Sequence, residues 1–319
     1  MNHTKAKVSL VHNGARRTKV FHALELVRDD VESKLADQVM LKPNFLTSKN
    51  QLASSHVDAI RGAIDFLLTV RNPPDEIIIA EGGNEDTSGE AFRNFGYHDL
   101  LEEYTIPIRL VDLNQETNWQ ETPIILADDS EYQVKMPRTV LDCPCKISVA
   151  IAKTHDTCVV TLALKNMIMG TIRKQDRVFM HGFRSHAERK LPDEARALNV
   201  NLIRLARYLT PDIAIVDGTR GLQGNGPGGT DAIEFGVVAA GVDVFATDAV
   251  VAKTMGFDPM TLALPYYAHQ LGLGTVELEQ IEILETTIEE VETPFKPHDT
   301  VELQMQWQRP DAISLLQPA

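Results

Sequence analysis

Ile77-Ile78-Ile79-Ala80 is an unbroken apolar run, the mark of a strand covered on both faces. Just before it, Val57, Ile60, Ile64 and Leu67 recur at helical spacing and predict an amphipathic helix. Earlier still, Gln38 to Leu41 is a second strand that ends at Lys42-Pro43-Asn44. Val20, Leu24, Val27, Val31 and Leu35 mark one face of a preceding helix with Thr18 as its N-cap, and Lys7 to Val11 is a first, β-branched strand. Strand, helix, strand, helix, strand implies a parallel sheet with right-handed crossovers.

Downstream, Ile106 to Lys135 alternates and carries Asp128-Asp129, which predicts antiparallel strands and a turn. The parallel logic then resumes, with strands at Lys146 to Ala152 and Asp212 to Val216 and a helix at Asn199 to Leu209. Gly236 to Ala240 opens one more unit, followed by a helix at Val244 to Met255. The expected fold is α/β, with mostly parallel Rossmann-like sheets in two packed lobes. One lobe covers residues 1–135 and a second covers 136–275, with an acidic extension over 276–319. No internal repeat or low-complexity segment interrupts this plan.

The 319 residues are 43% hydrophobic, enough for a substantial core. A net charge of -14 disfavours nucleic acid, whose phosphates the average surface repels. No apolar stretch approaches the roughly 18 residues that span a bilayer, and the basic segment Met1 to Lys19 lacks the apolar core of a secretion signal. A cytoplasmic protein away from the membrane is expected. Cys143, Cys145 and Cys158 are too few and too oddly spaced for a disulfide framework or a zinc knuckle, and read as reduced, buried small residues.

Ligands of open parallel sheets collect beyond the carboxyl ends of the strands. Four loops qualify: Lys42 to Ser48, Glu81 to Thr87, Lys153 to Thr157 and Asp217 to Gly221. The last continues into Gly224, Gly226, Gly228 and Gly229, a density of glycine that lets backbone N–H groups approach an anion, with Arg220 as charge partner. A solvated surface loop is the plain alternative. Lys165, in Thr161-Leu162-Ala163-Leu164-Lys165-Asn166-Met167, is either an amine tuned by apolar surroundings or a snorkelling helix lysine. His155 and His181 are either general bases and metal ligands or hydrogen-bonded structural residues.

At these residues the chain resembles the family called domain of unknown function 362. The matching pieces are Lys42-Pro43-Asn44, Lys153-Thr154-His155, Thr161 to Met167, His181, Asp217-Gly218 with Gly224-Asn225-Gly226-Pro227, and Asp243 to Asp248. Many relatives also carry a ferredoxin-like cysteine cluster; this chain has no such run, so no intrinsic iron–sulfur centre is implied. The region is also similar to the nickel-pincer lactate racemases. There a histidine after a strand is followed ten residues later by the lysine that tethers the cofactor, and sixteen residues beyond that lysine by a histidine that contacts nickel. Those offsets fall on His155, Lys165 and His181. The racemase loop with its catalytic histidine is replaced by Gly82-Gly83-Asn84-Glu85, and Asn84 cannot act as a base. Glu81, Glu85 or Asp86 would have to substitute, and Lys42 with Asn44 stand where the racemases hold their substrate with arginine. An unbroken helix would hold His155 and Lys165 about 15 Å apart, so their convergence requires a bend.

The leading expectation is an enzyme that acts on a small carboxylate or phosphate by proton or hydride-type transfer. Lys165, His155, His181 and Asp217 are its catalytic candidates. Lys42, Asn44, Asn84, Lys153, Asn166, Arg220, Gly224, Gly226 and Gly228 are its binding candidates. His155 and His181 are also candidates to hold a transition metal, and Lys165 to tether a cofactor. Two other readings are a redox protein served by a separate iron–sulfur partner and a non-catalytic accessory protein that handles a metal or cofactor. Any of these is compatible with a homodimer.

Overall fold

The computed structural model describes residues 5–84 and 88–316. Glu85 and Asp86 lie outside the described residues. The strands are β1 (Ala6–Val11), β2 (Gln38–Lys42), β3 (Glu76–Glu81), β4 (Ile108–Asp112), β5 (Trp119–Ile125), β6 (Glu131–Pro137), β7 (Cys145–His155), β8 (Val159–Thr161), β9 (Ile213–Leu222), β10 (Ala232–Ile233), β11 (Val237–Gly241) and β12 (Ile281–Glu285). Ten of them form one sheet in the order β12-β1-β11-β9-β7-β2-β3-β4, with β8 beside β7 and β10 beside β9. Along the main path every pairing is parallel except those of β11, which runs antiparallel to both β1 and β9. The strands of both expected lobes share this sheet, through β2 against β7 and β1 against β11.

Alternation explains the apolar runs. Val39 and Leu41 enter one core with Ile77 and Ile79, while Met40, Ile78 and Ala80 enter the core on the other face. Helices Arg16–Leu26 and Val57–Leu67 cover the first face. Helices Ala163–Met169, Asp193–Leu209 and Val244–Thr254 cover the second. The chain therefore leaves β2 on one face and β7 on the other, and these two neighbours form a topological switch point. A crevice opens at their carboxyl ends.

Several elements differ from the sequence reading. β11 does not continue the parallel series, because the glycine-rich link from β9 contains no helix, and a connection without a crossover element returns antiparallel. Thr18 lies inside the first helix, which starts at Arg16 after Ala15 with no side-chain cap. The alternating region does form the hairpin β5–β6, but β4 joins the main sheet beside β3. The acidic C-terminal region supplies β12, which pairs with β1. Its acids stay outside while Ile281 is buried, a common way to keep an edge strand from adding further strands.

Candidate functional site

β7 is long, and its last residues project past the sheet. Beyond an irregularity between Ile151 and Lys153 it pairs with β8, so that Lys153 faces Thr161 and His155 faces Val159 across a tight hairpin. The turn is Asp156-Thr157-Cys158, and Val159, a β-branched residue at φ 66°, follows it as the first residue of β8. Val160 N–H donates to Cys158 O at 2.7 Å, and Val159 N–H donates to Gln304 Oε1 of the C-terminal segment at 2.8 Å. This hairpin is the bend that the spacing demanded. Helix Ala163–Met169 starts immediately after it, and Asp248 caps its first turn by accepting the Ala163 and Leu164 N–H groups at 2.8 and 3.0 Å. Lys165 is thereby returned to the end of β7, with its Nζ 2.9 Å from His155 Nε2.

The crevice contains a cavity of about 230 Å³. Lys153, His155, Lys165 and His181 line it, as do Asn44, Asn84 and Asn166. Loops after β2, β3 and β7 thus meet here as the sheet geometry requires. Lys42 lies fully buried close by; it is ion-paired to Glu81 and donates to Asn166 Oδ1 at 2.9 Å. Burial pushes the Glu81 carboxyl up and the Lys42 amine down. Asn44 Nδ2 donates to Asn166 Oδ1 at 3.1 Å, and Lys153 Nζ donates to Asn44 Oδ1 at 2.6 Å. These amides hold the three loops in register.

Each histidine has a carboxylate at Nδ1. His155 Nδ1 is 2.9 Å from Asp156 Oδ1 and also receives the Thr157 N–H at 3.0 Å. His181 Nδ1 is 2.6 Å from Glu194 Oε1, which accepts from Thr157 Oγ1 at 2.9 Å and from Arg189 Nε at 2.8 Å. Burial, reinforced by the Lys165 ammonium, holds His155 down at about 3, and burial lowers His181 as well, so both rings are neutral near pH 7. Burial works against ionisation of Asp156 and Glu194, but neighbouring histidine and arginine outweigh it and keep both carboxyls low. Burial and the Lys165 charge bring Lys153 down to about 7.

Around the cavity stand Lys153, Lys165, Arg177 and Arg189 against the carboxylates of Glu81 and Asp156. Two buried donors at its wall, Thr161 Oγ1 and Arg177 Nε, have no hydrogen-bond partner among the described residues. The excess of positive charge is local, in a chain of net charge -14.

Other candidates lie elsewhere. Asp217 is buried beside Arg16, with Arg16 Nε 2.7 Å from Asp217 Oδ2, and both line a separate cavity with His56 and Arg220. Arg220 is ion-paired to Glu234 at 2.9 Å. In the glycine-rich loop, Gly224 N–H donates to Lys296 O at 2.7 Å and Gly226 N–H to Gly224 O at 2.8 Å, so these amides are engaged within the protein. Gly228 packs near Leu46, and its carbonyl accepts from Asn50 Nδ2 at 3.4 Å. Only Pro227 of this loop lines the first cavity. Sequence reasoning overlooked Asp156, Arg177, His186, Arg189 and Glu194. Glu194 sits in a helical first turn, where an acid is ordinary, so no sequence signal marked it.

The donor set can be tested against the groups that the resemblances imply. Among the described residues, no three histidine, cysteine, aspartate or glutamate side chains converge to hold a metal by themselves. A metal held by His155 and His181 would need a further ligand beyond the histidine, cysteine, aspartate and glutamate side chains of the described residues. A lysine-tethered group fits better, because the Lys165 amine and two neutral imidazoles share one cavity.

Among the described residues, no helix is long and apolar enough to cross a membrane. The thylakoid-associated protein sll1697 of Synechocystis sp. is 24% identical over 246 residues, which cover 77% of this chain and 71% of that protein. The lactate racemase apoprotein of Thermoanaerobacterium thermosaccharolyticum is similar with a TM-score of 0.46 at 13% identity, over 74% of this chain. This chain spans about half, 54%, of that racemase. The family model described as Domain of unknown function (DUF362) matches residues 39–253, well over half of the chain. The protein belongs to this family.

Proposed function

We propose that the cavity between β2 and β7 binds a small carboxylate or phosphate and moves a proton on it. The observation that carries this reading is the surplus of lysine and arginine at the cavity wall, where Lys153, Lys165, Arg177 and Arg189 stand against Glu81 and Asp156. Arg177 and Arg189 hold the negative charge. Proton movement falls to the chain Asp156, His155 and Lys165, in which a carboxylate faces Nδ1 and the amine faces Nε2 of one imidazole. Proton exchange runs between Nε2 of the ring and the Lys165 amine, 2.9 Å apart. Should a lysine-tethered group be bound, Lys165 would carry it, and it would add an electron or hydride acceptor to the same chemistry.

Titration calorimetry with propionate and inorganic phosphate tests the reading. Saturable binding of either anion is expected, weakened about tenfold or more by Arg177→Met, which corresponds to about 1.4 kcal/mol or more. Absence of binding by both anions, or binding indifferent to Arg177→Met, would overturn it.

A further inference from the structure

Lys153 differs from the other two buried lysines of this region. Lys42 is paired with the Glu81 carboxylate, and Lys165 meets the His155 imidazole. The Lys153 amine, 1% exposed, donates to Asn44 Oδ1 at 2.6 Å and to Ala53 O at 3.1 Å. Both are neutral acceptors. A neutral amine has two N–H groups and one lone pair, and two acceptors use both donors. An ammonium would keep a third N–H in a buried place, next to the charge of Lys165. The partners therefore suit the neutral form and leave its lone pair free in a side chain that lines the cavity. Desolvation and a neighbouring cation are the usual means of making lysine a nucleophile.

An amine nucleophile inside a pocket charged for anions selects a carbonyl compound that carries an acid group. We infer that Lys153 forms an imine with a small α-keto acid, a step that rests on the anion-binding reading above and deepens it. The Nζ lone pair attacks the carbonyl carbon, and the oxygen gains the proton that nitrogen loses, giving a carbinolamine. Its hydroxyl then departs with a second proton as water while the C=N bond forms. Lys165 and His155, 2.9 Å apart in the same cavity, can deliver and accept these protons. The acid group faces the surplus charge of Arg177 and Arg189.

Borohydride trapping tests this. Hydride adds to the imine carbon and a solvent proton to nitrogen, which fixes the adduct as a secondary amine. The full chain is treated with pyruvate, α-ketobutyrate or α-ketoglutarate and sodium borohydride, then analysed by intact mass and peptide mapping. One added acid on Lys153 is expected with at least one of the three. It should be absent from Lys153→Arg and Lys153→Met and suppressed by excess propionate, which has the charge but no carbonyl. An adduct mapped to Lys165, or none with any keto acid, overturns the inference. Calorimetry with propionate on the same sample separates the two levels: if propionate binds and nothing is trapped, imine formation falls while anion binding stands; if neither occurs, both fall.

Discussion

Lys165 Nζ lies 2.9 Å from His155 Nε2 although ten residues separate them in the chain. The contact exists because β7 folds back through β8 before the helix carrying Lys165 begins. A strand end and a helix start are thereby brought within hydrogen-bond distance, and the charge of Lys165 acts on the His155 ring.

Removing the amine should therefore release the imidazole. Burial is the larger cause of the low His155 value and the Lys165 charge the next, so Lys165→Met should raise it from about 3 while leaving it below 6.5. Titration of the imidazole nitrogens by NMR reads the change. An unmoved value would mean that the ammonium charge does not act on this ring.

The C-terminal segment holds the same reversal. Gln304, fully buried, accepts the N–H of Val159, the residue at φ 66°. Gln304→Ala would leave that N–H unsatisfied, a cost of about 1–3 kcal/mol. Urea unfolding should show the loss, and anion affinity should fall with it because Lys165 follows the hairpin. Unchanged stability would show that Val159 is held in place by other contacts.

Much of this frame could be read from periodicity. Ile77 to Ile79 and Val57 to Leu67 disclose a strand and its covering helix because burial on one or two faces prints a pattern. The meeting of Lys153, His155, Lys165 and His181 was legible as a cluster of polar residues at strand ends, but their contact was not. It depends on a three-residue strand, β8, too short to print any period. Asp217 falls under the same end-of-strand rule at β9, yet it pairs with Arg16, far off in sequence, beside another cavity. The glycine density has local reasons: Gly224 adopts φ 69°, and Gly226 packs against the backbone of Thr154.

Gly226 and Gly228 differ in how closely they are packed. A Cβ on Gly226 would sit 2.2 Å from the Thr154 carbonyl oxygen, and backbone cannot yield as a side chain does. On Gly228 the nearest atom would be Leu46 Cδ2 at 3.2 Å, the end of a flexible side chain. Gly226→Ala should destabilise by about 1–3 kcal/mol, and Gly228→Ala by less than about 1 kcal/mol. Thermal or urea unfolding of the two variants side by side decides it, and equal costs would contradict the assigned packing.

Lys153 makes a prediction on pH that needs no substrate. Burial, with the charge of Lys165, brings its amine from 10.5 to about 7 on folding. Between those values the unfolded chain holds a proton that the folded chain does not, so the folded state gains stability as pH rises. The gain is complete above 10.5 and is lost as pH falls through 7. The slope from this one group is at most about 1.4 kcal/mol per pH unit. Lys153→Met lacks it, whereas every other titrating group is common to both proteins. The stability difference, wild type minus variant, should therefore rise between about pH 7 and pH 9 in urea unfolding series. A flat difference would mean that the amine keeps its proton when buried. The nucleophile required for imine formation would then be missing, whatever the cavity binds.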